Sequence, residues 1–180
     1  ITTGSVDVLM QSELADVVYS DPPWGNLRYW HTHNKSGQPR TDWLTFLATF
    51  CRVCATYRKA DAPVFVEMGR QWVGDLDAAM TLAGLPRLRQ WEISYGRPAR
   101  PHALLLYGAD RAVDLLETHG EAVTRLVLAA TLTPGSVVLD PCCGKGMTSR
   151  YTHKLGGAFR GNELNASRLA VTEAWLRRHV

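Results

Sequence analysis

The sequence has few of the features that mark secreted, membrane-spanning or disordered proteins. Only 4 of its 180 residues are cysteine, no apolar run approaches the length of a membrane span, and no signal-peptide pattern opens the chain. Hydrophobic residues make up 46% and charged residues 21%, which excludes a fibrous chain. The composition therefore predicts one folded domain over residues 1–180, cytoplasmic and without a membrane partner.

The composition gives little support to two functions, nucleic-acid binding and metal binding. The net charge is only +3, which permits nucleic-acid binding without arguing for it. Metal binding is weakly indicated, because Cys142 and Cys143 are adjacent and their side chains diverge. Cys51 and Cys54 lie in a helical apolar pattern, where buried thiols are common. We therefore expect reduced cysteines and no metal. The first residue is Ile rather than Met, which indicates that N-terminal sequence is missing.

Strand and helix patterns alternate along most of the chain, without internal repeats. Strands are predicted at 5–9, 15–20, 62–69, 87–96, 102–108, 136–140 and 158–164. Helices are predicted from Thr41 or Asp42 onward and at 70–83, 121–132, 147–156 and 165–178. A short connection joins the strands at 87–96 and 102–108 into a hairpin. The pattern predicts an α/β fold with helices on both faces of a mostly parallel sheet that has one antiparallel strand.

The first unusual stretch is S-D-P-P-W-G at residues 20–25, which follows an apolar strand. Two successive prolines fix φ and remove two N–H donors, so neither a strand nor a helix can continue through them. Gly or Asn would make a simple turn more readily. The stretch therefore indicates either an ordinary turn or a rigid polar and aromatic site.

The second stretch is V-V-L-D-P-C-C-G-K-G-M-T-S, in which a strand ends in a glycine turn. Gly144 and Gly146 allow backbone to approach a ligand, but the spacing matches neither a phosphate-binding loop nor a dinucleotide fingerprint. The next strand ends in Glu163, which is placed to accept hydrogen bonds from ribose hydroxyls. The alternative is a solvated acid paired with Arg168. Because ligands bind beyond the carboxyl ends of such strands, we expect both stretches to share one rim.

Together the two stretches resemble the amino-methyltransferases, which transfer a methyl group from S-adenosylmethionine to an exocyclic base nitrogen. D-P-P-W is similar to that family's catalytic tetrapeptide, and D-P-C-C-G-K-G-M-T is similar to its cofactor loop. Here Cys142 replaces a usual Phe, and Met147 intervenes before Thr148. The catalytic stretch comes first, which is the permuted order of the beta class. The resemblance covers essentially the whole chain.

The resemblance implies a Rossmann-like, seven-stranded sheet. Numbered as in the family, its strands would occur along this chain in the order 3, 4, 5, the 6–7 hairpin, 1 and 2. It implies that the Asp21 carboxylate and the Pro22 carbonyl accept hydrogen bonds from the target amino group, that Pro23 adds rigidity, and that Trp24 stacks on the base. Attack is direct, so the cysteines need not be nucleophiles. The implied cofactor-binding residues are Asp7, Asp140, Pro141, Cys142, Gly144, Gly146, Thr148 and Glu163.

Substrate contacts are predicted in the loop at 25–40 and in the hairpin connection, where the alternative is simply solvated loops. The candidates are Arg28, Tyr29, Trp30, His31, Lys35, Arg40, Arg97 and Arg100. The resemblance favours adenine over cytosine because position 21 is Asp, favours DNA over RNA, and implies a bacterial or phage source. No insert is large enough for a target-recognition domain, so we expect sequence specificity to be slight or to come from the 25–40 loop, a homodimer, a partner subunit or trimmed sequence. The alternatives are an RNA adenine methyltransferase, an N4-cytosine methyltransferase and a catalytically silent, methyltransferase-like binding module.

Overall fold

A computed structural model describes residues 2–3, 14–23 and 42–179. The strands are β1 (Thr2–Thr3), β2 (Val17–Ser20), β3 (Pro63–Gly69), β4 (Arg87–Tyr95), β5 (Arg100–Gly108), β6 (Val137–Asp140) and β7 (Ala158–Glu163). The helices are α1 (Trp43–Thr56), α2 (Val73–Leu82), α3 (Ala122–Thr131), α4 (Met147–Lys154) and α5 (Ala166–His179). From β2 onward strands and helices thus alternate apart from the β4–β5 hairpin, as the sequence predicts.

All strands join one mixed sheet, in the order β1-β7-β6-β2-β3-β5-β4. Strand β5 is antiparallel to both its neighbours, and every other pairing is parallel. The predicted α/β class with one antiparallel strand is therefore confirmed. The seven-stranded sheet that the resemblance implies is met in part, because six strands among the described residues have four residues or more and the seventh has two. The edge position is held by the two-residue β1, and the strand predicted at 5–9 lies outside the described residues.

Local sequence signals account for where the first two helices begin and end. The carboxylate of Asp42 caps α1 by accepting a hydrogen bond from the Thr45 backbone N–H at 2.9 Å. Gly84, with φ of 81°, follows the last turn of α2 in the left-handed conformation that ends many helices. The predicted helix at 70–83 is shorter than expected, because Arg70–Trp72 form a 3₁₀ turn first.

The sheet is buried on both faces by helices. Strands β2, β3 and β6 are wholly buried, which explains their nearly continuous apolar runs. On one face Phe50 of α1 and Leu76 of α2 join the apolar cluster that includes Val64 and Val66. On the other face, α3 packs against alternate residues of the same strands. Each fully buried large apolar side chain contributes about 1.5–3 kcal/mol to folding.

Strands β2 and β6 lie side by side at the centre of the sheet. From β6 the chain passes through α4 to β7 on one side, whereas from β2 it passes through α1 to β3 on the other. The connections therefore diverge between these two strands, and such a switch point opens a crevice at the carboxyl ends of the strands. The β4–β5 connection lies at the same rim, because β4 runs parallel to β3. No helix in the described ranges is long and apolar enough to cross a membrane.

Candidate active site

The two unusual stretches meet at the switch point. The hydroxyl of Ser20, the last residue of β2, donates a hydrogen bond of 2.7 Å to Oδ1 of Asp140, the last residue of β6. Ser20 is fully buried and Asp140 is 2% exposed. The expectation that the two stretches share one rim is thus met by direct contact between residues 120 positions apart.

Asp140 organises the glycine turn that follows it. Its Oδ1 also accepts the Cys142 backbone N–H at 3.1 Å, and its Oδ2 accepts the Thr148 hydroxyl at 2.7 Å. Burial raises the pKa of Asp140 to about 6, although the hydrogen bonds from Ser20 and Thr148 act to lower it. Both carboxylate oxygens are therefore held by protein donors, and Asp140 and Thr148 act on the site by fixing the shape of the loop.

Gly144 and Gly146 both have positive φ, 53° and 79°, but they face different surroundings. A Cβ on Gly146 would lie 2.5 Å from Cγ2 of Thr172 and 2.8 Å from the Ser149 hydroxyl oxygen, so α5 packs directly against this position. A Cβ on Gly144 would meet nothing within 4 Å. The loop is thus packed on one side and has open space beside Gly144, where a ligand can approach the backbone.

Glu163 ends β7, the neighbour of β6, and is 9% exposed. Its Oε1 accepts the Asn165 backbone N–H at 2.7 Å, which fixes the carboxylate at the start of α5. Pro141, which directly follows β6, is buried. The structure therefore gathers the described members of the predicted cofactor set at the ends of two adjacent strands.

The D-P-P-W stretch, predicted to be catalytic, is described as far as Pro23. Asp21 is exposed at the rim, Pro22 is buried and Pro23 is half-buried. The Asp21 carboxylate is exposed, and the rigid, buried Pro22 follows it directly. The carboxylate can therefore contact a substrate without first leaving the core. The remaining predicted residues on this side lie outside the described residues: Asp7, Trp24, Arg28, Tyr29, Trp30, His31, Lys35 and Arg40.

The two basic candidates of the hairpin lie at the same rim and are exposed. Arg97 is in the β4–β5 connection, as predicted. Arg100 is not, because the hairpin pairing extends to Tyr95 and Arg100 and makes Arg100 the first residue of β5. Both remain candidates for contact with substrate.

The cysteines of the glycine turn do not have the properties of nucleophiles. Burial, together with the charges of Asp140 and Glu163, raises the pKa of the Cys142 and Cys143 thiols well above the ordinary value. A protonated thiol is a poor nucleophile and a poor metal ligand. Within the part of the chain that the structure describes, no group of three His, Cys, Asp or Glu side chains could hold a metal ion.

A buried polar cluster on one face of the sheet was missed from the sequence. The Tyr19 hydroxyl donates to Oε1 of Glu67 on β3, and Thr124 Oγ1 lies 3.1 Å from the Tyr19 oxygen. Glu67 is 1% exposed. The available signal was an acid inside the otherwise apolar strand A-P-V-F-V-E-M-G, since acids are almost never fully buried without a role.

The Ser20–Asp140 hydrogen bond should stabilise the site measurably. We expect Ser20→Ala to lower the free energy of unfolding by about 2 kcal/mol, because it removes a donor to a buried carboxylate. Urea denaturation would measure the change. Ser167→Ala, at an exposed position of α5, is the matched control and should stay within about 0.5 kcal/mol of the parent. Equal stabilities of the two variants would contradict the importance given to this contact.

Comparisons with known proteins found similarity in structure alone. No protein-family model matches the chain, and no curated protein matches it in sequence. A selenomethionine derivative of TTHA0409 from Thermus thermophilus, described as a "Putative DNA Modification Methylase", aligns with a TM-score of 0.75 and 14% identity over 99% of this chain and 94% of that one. The same protein complexed with S-adenosyl-L-methionine gives a TM-score of 0.73 and 13% identity, with the same coverage of both chains.

Two further structures widen the comparison. The complex of M1.HpyAVI with SAM aligns with a TM-score of 0.67 and 14% identity, covering 91% of this chain and 89% of that one. The PvuII DNA methyltransferase, described as cytosine-N4-specific, aligns with a TM-score of 0.69 and 10% identity, covering 93% of this chain and 81% of that one. At such identities the likeness concerns the arrangement of the backbone. The chain therefore has the α/β fold that is shared by TTHA0409, M1.HpyAVI and PvuII DNA methyltransferase.

Proposed function

We propose that this chain transfers a methyl group from S-adenosylmethionine to the exocyclic amino group of adenine in DNA. The observation that carries the proposal is the hydrogen bond between Ser20, which directly precedes D-P-P, and Asp140, which directly precedes the glycine turn, at the switch point of the sheet. Structures of similar fold support it: TTHA0409 is described as a "Putative DNA Modification Methylase", and structures of TTHA0409 and of M1.HpyAVI are complexes with the cofactor.

The described residues fit this cofactor. The open space beside Gly144 lets the backbone approach a ligand, and the Glu163 carboxylate on the adjacent strand is a suitable acceptor for ribose hydroxyls. The loop from Asp140 to Thr148 would surround the cofactor on one side. When bound, S-adenosylmethionine would supply an electrophilic methyl group on a sulfonium centre.

Asp21 and Pro22 would make the amino group of the target base reactive. An aromatic amino group is a poor nucleophile because its lone pair is delocalised into the ring. The Asp21 carboxylate and the Pro22 carbonyl would accept its two hydrogens, draw the nitrogen toward tetrahedral geometry and stabilise the positive charge that develops there. As the N–C bond forms, the electron pair of the C–S bond stays on sulfur, and the nitrogen loses a proton to Asp21 or to water. The rigid prolines contribute mainly orientation.

Cytosine N4 is the second candidate for the accepting base. It is favoured by the fold similarity to PvuII DNA methyltransferase, described as cytosine-N4-specific. Asp at position 21 favours adenine in the family that the sequence resembles. Both bases present an exocyclic amino group, so the mechanism above holds for either. With no large insert in 180 residues, we propose that a second copy or a partner subunit contributes sequence specificity.

A methylation assay tests the proposal directly. The protein is incubated with S-adenosylmethionine carrying an isotopic methyl label and with separate pools of single-stranded DNA, duplex DNA and RNA, and the nucleosides are analysed by mass spectrometry. We expect labelled N6-methyl-2′-deoxyadenosine from DNA. Labelled N4-methyl-2′-deoxycytidine would favour the second candidate, and label in the RNA pool alone would exclude DNA as the substrate. Cofactor binding without any labelled nucleoside would point to a silent binding module.

A further inference from the structure

A buried carboxyl group lies beside the catalytic stretch and has no cationic partner in the described part of the chain. Parallel pairing sets Ser20 of β2 opposite Val66 of β3, so the next positions along the two strands are Asp21 and Glu67. Glu67 is 1% exposed, although the residue is acidic. Its Oε1 accepts the Tyr19 hydroxyl, and Thr124 Oγ1 lies 3.4 Å from the same oxygen.

The other oxygen of Glu67 and a nearby phenol are both unsatisfied. Glu67 Oε2 and the Tyr95 hydroxyl are buried, and neither has a hydrogen-bond partner among residues 2–3, 14–23 and 42–179. The Tyr95 ring packs edge-on against His102, with the ring centroids 5.6 Å apart. Burial, then the charge of Glu67, raises the pKa of the Tyr95 phenol, so the two groups lie within electrostatic reach. Buried polar atoms without partners are costly, and each of these two can satisfy the other.

The protonation state of Glu67 decides which of the two groups donates. Burial raises the pKa of Glu67, the hydrogen bonds from the Tyr19 and Thr124 hydroxyls act against the rise, and the charge of Asp140 adds to it. The titratable groups around the cluster are Tyr19 from β2, Tyr95 from β4, His102 from β5 and Asp140 from β6. A neutral carboxyl has one acceptor oxygen and one O–H donor. Oε1 already accepts, which leaves Oε2 to carry the proton.

The cluster adjoins the stretch that contains Asp21. The register of β2 and β3 places Asp21 next to Glu67, and the charge of Asp21 also contributes to the raised pKa of the Tyr95 phenol. We propose that neutral Glu67 donates a hydrogen bond from Oε2 to the Tyr95 hydroxyl, and that Tyr95 in turn donates to the Asp21 carboxylate and orients it toward the target amino group. The inference rests on the proposed function of Asp21. It makes Glu67 and Tyr95 positioning residues.

The chain offers variants that separate this role from a purely structural one. Glu67→Gln keeps an acceptor oxygen and places an N–H donor where the Oε2 proton would be, so it should keep kcat within about twofold of the parent. Glu67→Met keeps the volume without the donor, and Tyr95→Phe removes only the hydroxyl. Each should lower kcat about tenfold and leave KM for S-adenosylmethionine within about twofold, since misorientation of a catalytic group acts on turnover.

Tyr107→Phe is the matched control. Tyr107 is another buried tyrosine of the same sheet, and its hydroxyl donates to Asp77 Oδ1 at 2.8 Å on the opposite face. Loss of that hydroxyl should lower stability without changing kcat. The double variant Glu67→Met/Tyr95→Phe should lose no more turnover than either single variant, because both act through one hydrogen-bonded chain. The inference would be overturned if the loss of kcat in the double variant equalled the product of the two single losses. Equal effects of Tyr95→Phe and Tyr107→Phe on kcat would also overturn it.

The pH dependence provides a second readout. Once pH rises above the pKa of Glu67, the ionised carboxylate accepts from Tyr95, and Tyr95 stops donating to Asp21. The parent protein should therefore lose kcat on the alkaline side, and Glu67→Gln, which cannot ionise, should not lose it. The same alkaline decline in both proteins would overturn the inference.

An infrared measurement keeps the inference separable from the proposed function. The difference spectrum between the parent and Glu67→Gln at neutral pH should show the C=O stretch of a protonated carboxyl group, with no substrate or cofactor added. Absence of this band would overturn the inference whatever the activity. A band in a parent protein that methylates no nucleic acid would overturn the proposed function, and with it the role of Asp21 on which the hydrogen-bonded chain depends.

Discussion

Asp21→Ala is expected to abolish methyl transfer while leaving the affinity for S-adenosylmethionine nearly unchanged. The carboxylate is assigned to the amino group of the target base, so its loss removes an interaction that strengthens as positive charge develops on the nitrogen. By analogy with the loss of one preorganised group at a developing charge, kcat should fall on the order of 10²–10³-fold. Asp21 is exposed, so the substitution should leave the fold intact.

The measurement pairs single-turnover methylation with calorimetric binding of the cofactor. Asp114→Ala is a suitable control, because Asp114 is also an exposed aspartate and lies in the loop between β5 and α3. It should match the parent in both assays. A parallel loss of turnover and of cofactor affinity in Asp21→Ala would assign Asp21 to the cofactor and refute its role at the amino group.

Gly146→Ala is expected to weaken cofactor binding about tenfold to hundredfold. A φ of 79° costs a residue with a Cβ about 1–2 kcal/mol, and the new Cβ would approach Thr172 Cγ2 to 2.5 Å. The loop must shift to relieve this contact, and overpacking costs about 1–3 kcal/mol. Since 1.4 kcal/mol corresponds to a factor of ten in a binding constant, a cost of this size would be visible in the dissociation constant of S-adenosylmethionine.

Two further variants identify the cause of the loss. Gly84→Ala at the end of α2 has a similar φ of 81°, and its Cβ would meet nothing within 4 Å. It should cost about 1 kcal/mol of stability through backbone strain and leave cofactor binding unchanged. Adding Thr172→Ala to Gly146→Ala should recover part of the affinity, measured against Thr172→Ala alone. No recovery, with both proteins folded by circular dichroism, would show that backbone strain at Gly146 outweighs the contact with α5.

The elements of the fold were predictable because their signals are local. The apolar runs that become β2, β3 and β6, the Asp42 cap and Gly84 each act within a few residues of where they stand. The two errors of detail have local causes as well. A 3₁₀ turn replaces the first turn of the helix predicted at 70–83, and hairpin pairing extends β5 back to Arg100.

The site was predictable in part for the same reason. Glycines at positive φ and an acid at the end of a strand are visible in a single stretch, as Gly144, Gly146 and Glu163 show. The likeness of two stretches to one family's motifs then indicated that they work together. The role of Asp140 could not be anticipated, because the donors that occupy both its oxygens become neighbours only on folding.

The sequence by itself determined the α/β class, the hairpin and the two stretches that leave their strands through an acid followed by proline. Tertiary structure alone decided that β2 lies beside β6, which brings Ser20 to Asp140 across 120 residues. It also decided that Glu67 and Tyr95, from strands separated by β5, lie on the face of the sheet that carries Tyr19. The physical reason is that strand order is set by crossover connections and by burial of both faces of the sheet, and neither is visible within one short stretch of chain.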